Sequence, residues 1–184
     1  MKKLFAGLLA LVLAVSVYGQ TNLTTAIDFT GTDLDGNSHN LFSYLDDDKF
    51  VVLYFIFTTW GSCQAAAAPV NQSYIEFGCN FGNTVFLMIY NGDTDAEVTD
   101  FNNTYGWTGP SISGVEGGGT AICGTYGVTS YTTIVVIAPD RTILEAGTSY
   151  SSLTATVEGH GGIKQPCEEV LTADFTIAPV TVVF

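Results

Sequence analysis

The sequence predicts an α/β fold in which a central mixed β-sheet is flanked by helices on both faces and preceded by an N-terminal β-hairpin. Two apolar runs rich in β-branched and aromatic residues, residues 50–57 and 84–90, are typical of strands buried on both faces. Segments with helical patterns alternate with these and later strands. Strands that alternate with helices and then close in a hairpin form a mixed sheet covered on both sides.

A secretory signal peptide is predicted at residues 1–19. Lys2 and Lys3 form a basic start, residues 4–17 are apolar, and the expected cleavage site follows Gly19 or Gln20. The apolar run is too short to span a bilayer as a stable helix. We therefore expect export to the periplasm or the extracellular space, with no membrane insertion after cleavage.

The remaining chain is long enough for one domain, which we place at residues 20–168. A tail at residues 169–184 has a different character, with alternating apolar residues and Pro179. This pattern is typical of a linker or of the start of a further β module in a longer protein.

The charge of the chain excludes one class of partner. Five lysines and arginines stand against 18 aspartates and glutamates, which gives a formal net charge of −13 at pH 7. Cleavage of the signal peptide removes two of the five cations. A chain with so few cations cannot neutralise phosphates, so nucleic acid is not expected as a partner.

The first half of the domain contains the hairpin, the central strand and a long helix. Residues 26–34 alternate and run into Asp35-Gly36, a pair that favours a hairpin turn. A short helical turn is expected at residues 40–45, before the strand at residues 50–57. Residues 63–77 carry an alanine run with high helix propensity and end before a glycine, which favours a helix end there.

In the second half, a helix follows the strand at residues 84–90. Thr94 and Glu97 have the spacing of a capping box, which predicts that this helix begins beside them. The remaining elements are a short helix, two strands joined at a Pro-Asp turn and a terminal helix, at residues 120–126, 133–138, 142–145 and 151–158.

Several of these segments resemble the exported redoxins of the thioredoxin superfamily. The shared features are the buried strand, a loop ending in tryptophan, a helix with a proline and a Tyr-Thr-Thr turn before a strand, at residues 50–57, Trp60, Pro69 and residues 131–133. The closest likeness is to secreted thioredoxin-like proteins of Bacteroidetes, which also show the D-x-D-G-N turn and the N-G-D-T-D segment found at residues 33–37 and 91–95.

The resemblance covers residues 26–162 and implies a thioredoxin-like fold. In such proteins a W-C-x-x-C loop carries a nucleophilic thiol, favoured by the following helix N-terminus, and a second thiol that resolves the mixed disulfide. The corresponding loop of this chain reads Trp60-Gly61-Ser62-Cys63-Gln64. The implied substrates are proteins, small thiols or peroxides, and no cofactor is implied.

Two alignments of this loop remain open. With ungapped spacing to Pro69, Gly61 and Gln64 occupy the two cysteine positions, and Cys63 lies between them. With one deletion and one insertion, Cys63 becomes the resolving cysteine and the nucleophile is missing. No C-x-x-C motif is present in either case, which excludes a self-contained dithiol cycle at this loop.

The resemblance also assigns a substrate groove beside the loop. Its lining would be Trp60, Gly61, Ser62, Gln64 and Thr132. Thr132 stands where the family has a cis-proline, and a cis bond before a residue other than proline costs about 2.5–4 kcal/mol. A trans bond is therefore expected at this position.

The four cysteines have different expected roles. Cys63 is the candidate catalytic residue, for monothiol exchange or for peroxiredoxin-like oxidation, and the alternative is a non-catalytic remnant. Cys123 is a possible resolving thiol or a buried apolar one. In the implied fold, Cys79 and Cys167 follow the first and last helices, away from the loop, and a structural disulfide is expected between them. The histidines lack ligand spacing from a cysteine pair, so no metal site is expected.

The sequence therefore supports two functional hypotheses. The first is an exported thioredoxin-like domain, related to thiol-disulfide oxidoreductases, with impaired or monothiol redox activity. The alternative is a non-catalytic binding or structural module with the same fold, part of a secreted modular protein.

Overall fold

The fold is built on a five-stranded mixed β-sheet with a separate two-stranded hairpin before it. The structure is a computed structural model, and it describes residues 21–168. The predicted signal peptide and the predicted tail lie outside the described residues. The strands are β1 (Thr30–Thr32), β2 (Ser38–Asn40), β3 (Phe50–Ile56), β4 (Thr84–Tyr90), β5 (Ser111–Ile112), β6 (Thr133–Ile137) and β7 (Ile143–Ala146).

In the described part of the chain, five helices flank these strands. They are α1 (Leu41–Asp46), α2 (Gly61–Glu76), α3 (Asp95–Tyr105), α4 (Gly119–Thr125) and α5 (Leu153–His160). Each corresponds to a segment where the sequence predicts a helix. Within residues 21–168, none of them has the length and apolar character that a bilayer crossing requires.

The strand order in the sheet is β5-β4-β3-β6-β7. β3 pairs in parallel with β4 and antiparallel with β6, while β6 and β7 form the antiparallel closing hairpin. β1 and β2 also pair antiparallel. These pairings confirm the predicted α/β class, the mixed sheet and the N-terminal hairpin.

The centre of the sheet forms the core because its three inner strands are covered on both faces. All residues of β4 and β6 are buried, and in β3 only the first residue is partly exposed. This burial explains why these strands are continuous apolar runs instead of alternating ones. The arrangement places the carboxyl end of β3 directly before the loop that leads into α2.

The ends of two helices matter for the site. α3 begins with the predicted capping box, in which the Thr94 side chain accepts a hydrogen bond from the backbone N–H of Glu97 and the Glu97 carboxylate accepts one from the Thr94 N–H. α2 begins at Gly61, two residues earlier than predicted, with Trp60 as its N-cap residue. Cys63 is therefore the third residue of α2.

Candidate functional site

The candidate site lies where the carboxyl end of β3 meets the N-terminus of α2. Trp60 precedes the helix with an exposed side chain, and Gly61 and Ser62 of the first turn are also exposed. The Gln64 side chain donates a hydrogen bond to the carbonyl of Thr58 at 3.0 Å, which closes the loop before the helix. The structure thus brings together the loop residues that the sequence assigned to the groove.

Cys63 is fully buried, with a relative exposure of 0%. The hydroxyl of Tyr54 donates to the Cys63 carbonyl oxygen at 3.0 Å, which fixes the backbone of the first turn to β3. The hydroxyl of Thr132 lies 3.3 Å from the Cys63 sulfur. The only thiol of the loop therefore sits beneath the helix turn, in contact with the loop that precedes β6.

The peptide bond between Tyr131 and Thr132 is cis, so the expectation of a trans bond was wrong. That expectation considered the local cost of the bond alone and ignored the contacts that the loop makes with α2. The Ser62 hydroxyl donates to the Tyr131 carbonyl at 3.3 Å, and the Thr132 hydroxyl donates to Cys63. Threonine thus occupies the position beside Cys63 where the family has its cis-proline.

Three aromatic rings form a cluster above the loop. The ring of Phe57 stacks on Trp60 at a centroid distance of 5.8 Å and meets Tyr131 edge-on at 4.6 Å. Trp60 and Tyr131 also meet edge-on, at 5.9 Å. Phe57 is partly buried and Tyr131 is buried, whereas Trp60 has a relative exposure of 46%. Trp60 is therefore the aromatic surface that the site presents to other molecules.

Asp93, within the N-G-D-T-D segment, is a buried carboxyl group beside the site. Its two oxygens accept hydrogen bonds from the backbone N–H and the hydroxyl of Thr58, at 3.1 and 2.7 Å. Burial raises the pKa of Asp93, although the hydrogen bonds from Thr58 oppose this shift. Asp93 lies in the N-G-D-T-D segment shared with the family, but the sequence could not reveal its contact with Thr58, because Thr58 lies 35 residues away in the chain.

Cys123 does not form a bond with Cys63, and both are free thiols. It lies in α4, is buried, and interacts with the Tyr131 side chain. Burial raises the pKa of the Cys123 thiol, and the hydrogen bond with Tyr131 lowers it. Burial has the larger effect, and the resulting pKa is about 12. Cys123 is therefore protonated at neutral pH, which does not favour a role as an attacking thiolate.

The structure contains a disulfide bond between Cys79 and Cys167. It joins the segment after α2 to the segment after α5, with a Cα–Cα distance of 5.0 Å. Next to it, the backbone N–H of Gln165 donates to the carbonyl of Glu76 at 3.0 Å. The bond lies beyond the carboxyl end of α2, the helix whose other end carries Cys63.

Solved structures with the same fold include thiol-disulfide and disulfide oxidoreductases. The thioredoxin domain of a thiol-disulfide oxidoreductase from Bacteroides vulgatus is 18% identical, with a TM-score of 0.64 over 76% of this chain and 96% of that chain. A secreted disulfide oxidoreductase from Mycobacterium tuberculosis is 21% identical, with a TM-score of 0.59 over 71% and 95%. These similarities establish the thioredoxin-like fold.

A peroxidoxin from Mycobacterium tuberculosis is also similar, at 21% identity and a TM-score of 0.55 over 73% of this chain and 94% of that chain. No curated protein sequence matches the chain. The AhpC/TSA family model matches residues 23–146, which are more than half of the chain and include the whole candidate site. The chain therefore belongs to the AhpC/TSA family, within the thioredoxin-like superfamily.

Proposed function

We propose that this chain is an exported thioredoxin-like domain, related to thiol-disulfide oxidoreductases, whose own redox activity is impaired. The observation that carries the proposal is the burial of Cys63 in a loop without a second cysteine. Export is supported by residues 1–19 and by the Cys79–Cys167 bond, because structural disulfides persist in oxidising compartments.

The chemistry of thiol-disulfide exchange explains why these features impair it. A thiolate must reach a disulfide sulfur and form a mixed disulfide, which a second thiol then resolves. The Cys63 sulfur is covered by Thr132 and the first turn of α2. A partner for resolution is missing at the loop, and Cys123 is a buried thiol with a raised pKa.

A binding role for the same surface is a second candidate function. It is favoured by Trp60, which is the N-cap residue of α2 and has a relative exposure of 46%. An exposed tryptophan at a helix N-terminus provides a large apolar contact that orders few rotatable bonds on binding. Binding at this surface does not require a reactive thiol.

Disulfide turnover by the purified mature domain tests the proposal. We would measure reduction of insulin disulfides by dithiothreitol, and consumption of hydrogen peroxide, with the unmodified domain and with Cys63→Ser. We expect both proteins to leave the uncatalysed rates unchanged within about twofold, because Cys63 is inaccessible. Turnover by the unmodified domain that Cys63→Ser abolishes would overturn the proposal.

A further inference from the structure

A groove of about 280 Å³ lies between the loop that leads to Trp60 and one face of α3. The α3 side is formed by residues spaced three and four apart, which places them on one stripe of the helix. We call this feature the α3 groove; its lining includes Thr58, Thr59, Glu97, Asp100, Phe101 and Tyr105. Thr59, on the loop side of the groove, directly precedes the exposed Trp60 in the chain.

The α3 groove carries two negative charges. Hydrogen bonds from the backbone N–H and hydroxyl of Thr94 lower the pKa of Glu97, so this carboxyl group is ionised at neutral pH. The Asp100 carboxylate has no ion-pair partner within residues 21–168. Both side chains are exposed and therefore available to a bound molecule.

The cations of the domain are placed elsewhere. Arg141 pairs with Asp46 at 2.8 Å, and Lys164 lies 3.1 Å from Glu158. Lys49 directly precedes β3, at the opposite end of that strand from the groove. No lysine or arginine among residues 21–168 lines the α3 groove, so the protein does not neutralise its charge in the part of the chain that the structure describes.

Aromatic rings lie beside these carboxylates. Tyr105 is half-buried and packs on Phe101 at a centroid distance of 4.8 Å, on the α3 side. On the other side, the loop of Thr58 and Thr59 ends at the exposed Trp60. Carboxylates bind guanidinium and ammonium groups through charge-assisted hydrogen bonds, and aromatic faces attract the same cations.

From this combination we propose that the α3 groove and Trp60 bind an extended segment of a partner protein that carries arginine or lysine residues. The inference rests on the binding role proposed above. The formal net charge of −13 adds a long-range attraction for such a segment. The groove selects the cationic side chains, while Trp60 contacts the apolar part of the segment.

Fluorescence anisotropy with a labelled synthetic peptide tests the proposal. The probe is a fluorescein-labelled decapeptide of alternating arginine and alanine, and the comparison peptides carry glutamine or glutamate in place of arginine. We expect only the arginine peptide to bind, and its affinity to fall as NaCl rises from about 0.05 to 0.3 M. The absence of binding at low salt, or equal binding of the glutamine peptide, would overturn the proposal.

Two matched double variants separate the groove from the general acidity of the protein. Asp100→Asn with Glu97→Gln removes two charges from the groove and keeps the capping geometry. Asp47→Asn with Asp48→Asn removes the same charge about 20 Å away, beyond the other end of β3. We expect the groove variant to bind the arginine peptide about fivefold more weakly and the control to change by less than twofold. Equal weakening in both variants would refute the groove as the site.

The peptide and redox experiments fail independently. Loss of peptide binding leaves the disulfide and peroxide assays unaffected, because those assays depend on Cys63. Turnover by Cys63 would overturn the redox proposal without changing the effect of Asp100→Asn on peptide binding.

Discussion

The hydroxyl of Thr132 lies 3.3 Å from the sulfur of Cys63. This contact joins two segments that are 69 residues apart in the chain and brings the loop before β6 against the first turn of α2. The thiol is fully buried, and Thr132 is one of the residues in contact with it.

Thr132→Ala is expected to make Cys63 more reactive. The substitution removes the hydroxyl that contacts the sulfur and weakens the packing of the covering loop. We expect iodoacetamide to react about tenfold faster, which corresponds to a decrease of about 1.4 kcal/mol in the free energy of the local opening that exposes Cys63. Thr129→Ala, an exposed position on the same loop, serves as the control and should leave the rate unchanged. A Thr132→Ala rate equal to that of the unmodified domain would contradict the covering role.

Trp60→Cys is expected to create a dithiol site. The variant places a thiol three residues before Cys63, which restores the C-x-x-C spacing at the N-terminus of α2. We expect a disulfide between the introduced thiol and Cys63, detected by mass spectrometry, together with reduction of insulin above the uncatalysed rate.

The matched control is Gly61→Cys, which introduces a thiol one residue later. A side chain fits at Gly61 because no atom lies within 4 Å of the position of its Cβ. Its partner position three residues later is Gln64, so this variant should form no internal disulfide at the loop. Equal activity in both variants would show that the spacing to Cys63 is unimportant.

Loss of the Cys79–Cys167 bond is expected to destabilise the domain by about 3–5 kcal/mol. The bond closes a loop with a sequence separation of 88, so its removal restores much conformational freedom to the unfolded chain. Urea unfolding of the double variant Cys79→Ala with Cys167→Ala measures the change. Cys123→Ala, which alters a free buried cysteine, controls for simple loss of side-chain volume. A double variant as stable as the unmodified domain would contradict the structural role of the bond.

Asp33→Asn is expected to reduce stability at neutral pH and to have less effect in acid. Desolvation opposes ionisation of Asp33, but hydrogen bonds from His39 and Asn37 outweigh it and lower the pKa of this carboxyl group. A carboxyl group whose pKa is lowered by folding stabilises the protein at pH values above its pKa in the unfolded chain, near 3.9. This stabilisation is lost as the pH falls through the pKa of the folded state.

Urea unfolding at several pH values measures this dependence. The variant should be about 1–3 kcal/mol less stable at pH 7, and the difference should shrink below about pH 4. Asp35→Asn, in the same turn with an exposed side chain, is the control and should differ little at any pH. A difference between Asp33→Asn and the unmodified domain that stays constant down to pH 3 would contradict the account.

The parts of the fold that the sequence predicted are those with a local signal. The continuous apolar runs identified β3 and β4 because both faces of these strands are buried. The capping box identified the start of α3 because its two partners are three residues apart. β5 was missed because it has only two residues, Ser111 and Ile112, and its pairing with β4 arises from tertiary packing.

The site was harder to predict because its contacts join residues that are far apart in the chain. The loop sequence showed that a C-x-x-C dithiol was absent, but it could not show that Cys63 is buried in the core against Thr132, which lies 69 residues away in the chain. The contact between Asp93 and Thr58 could not be predicted because the two residues follow different strands and lie 35 residues apart in the chain. The cis bond before Thr132 was not anticipated because no proline marks it.

The most direct test of the central claim is the rate at which iodoacetamide alkylates Cys63 in the native domain. The reference is the double variant Ser62→Cys with Cys63→Ala, which presents a thiol at the exposed neighbouring position of the same helix turn. The account predicts that Cys63 reacts about a hundredfold more slowly than this reference, and equally fast once the domain is unfolded. A native Cys63 that reacts within about threefold of the reference would contradict a buried, redox-impaired site.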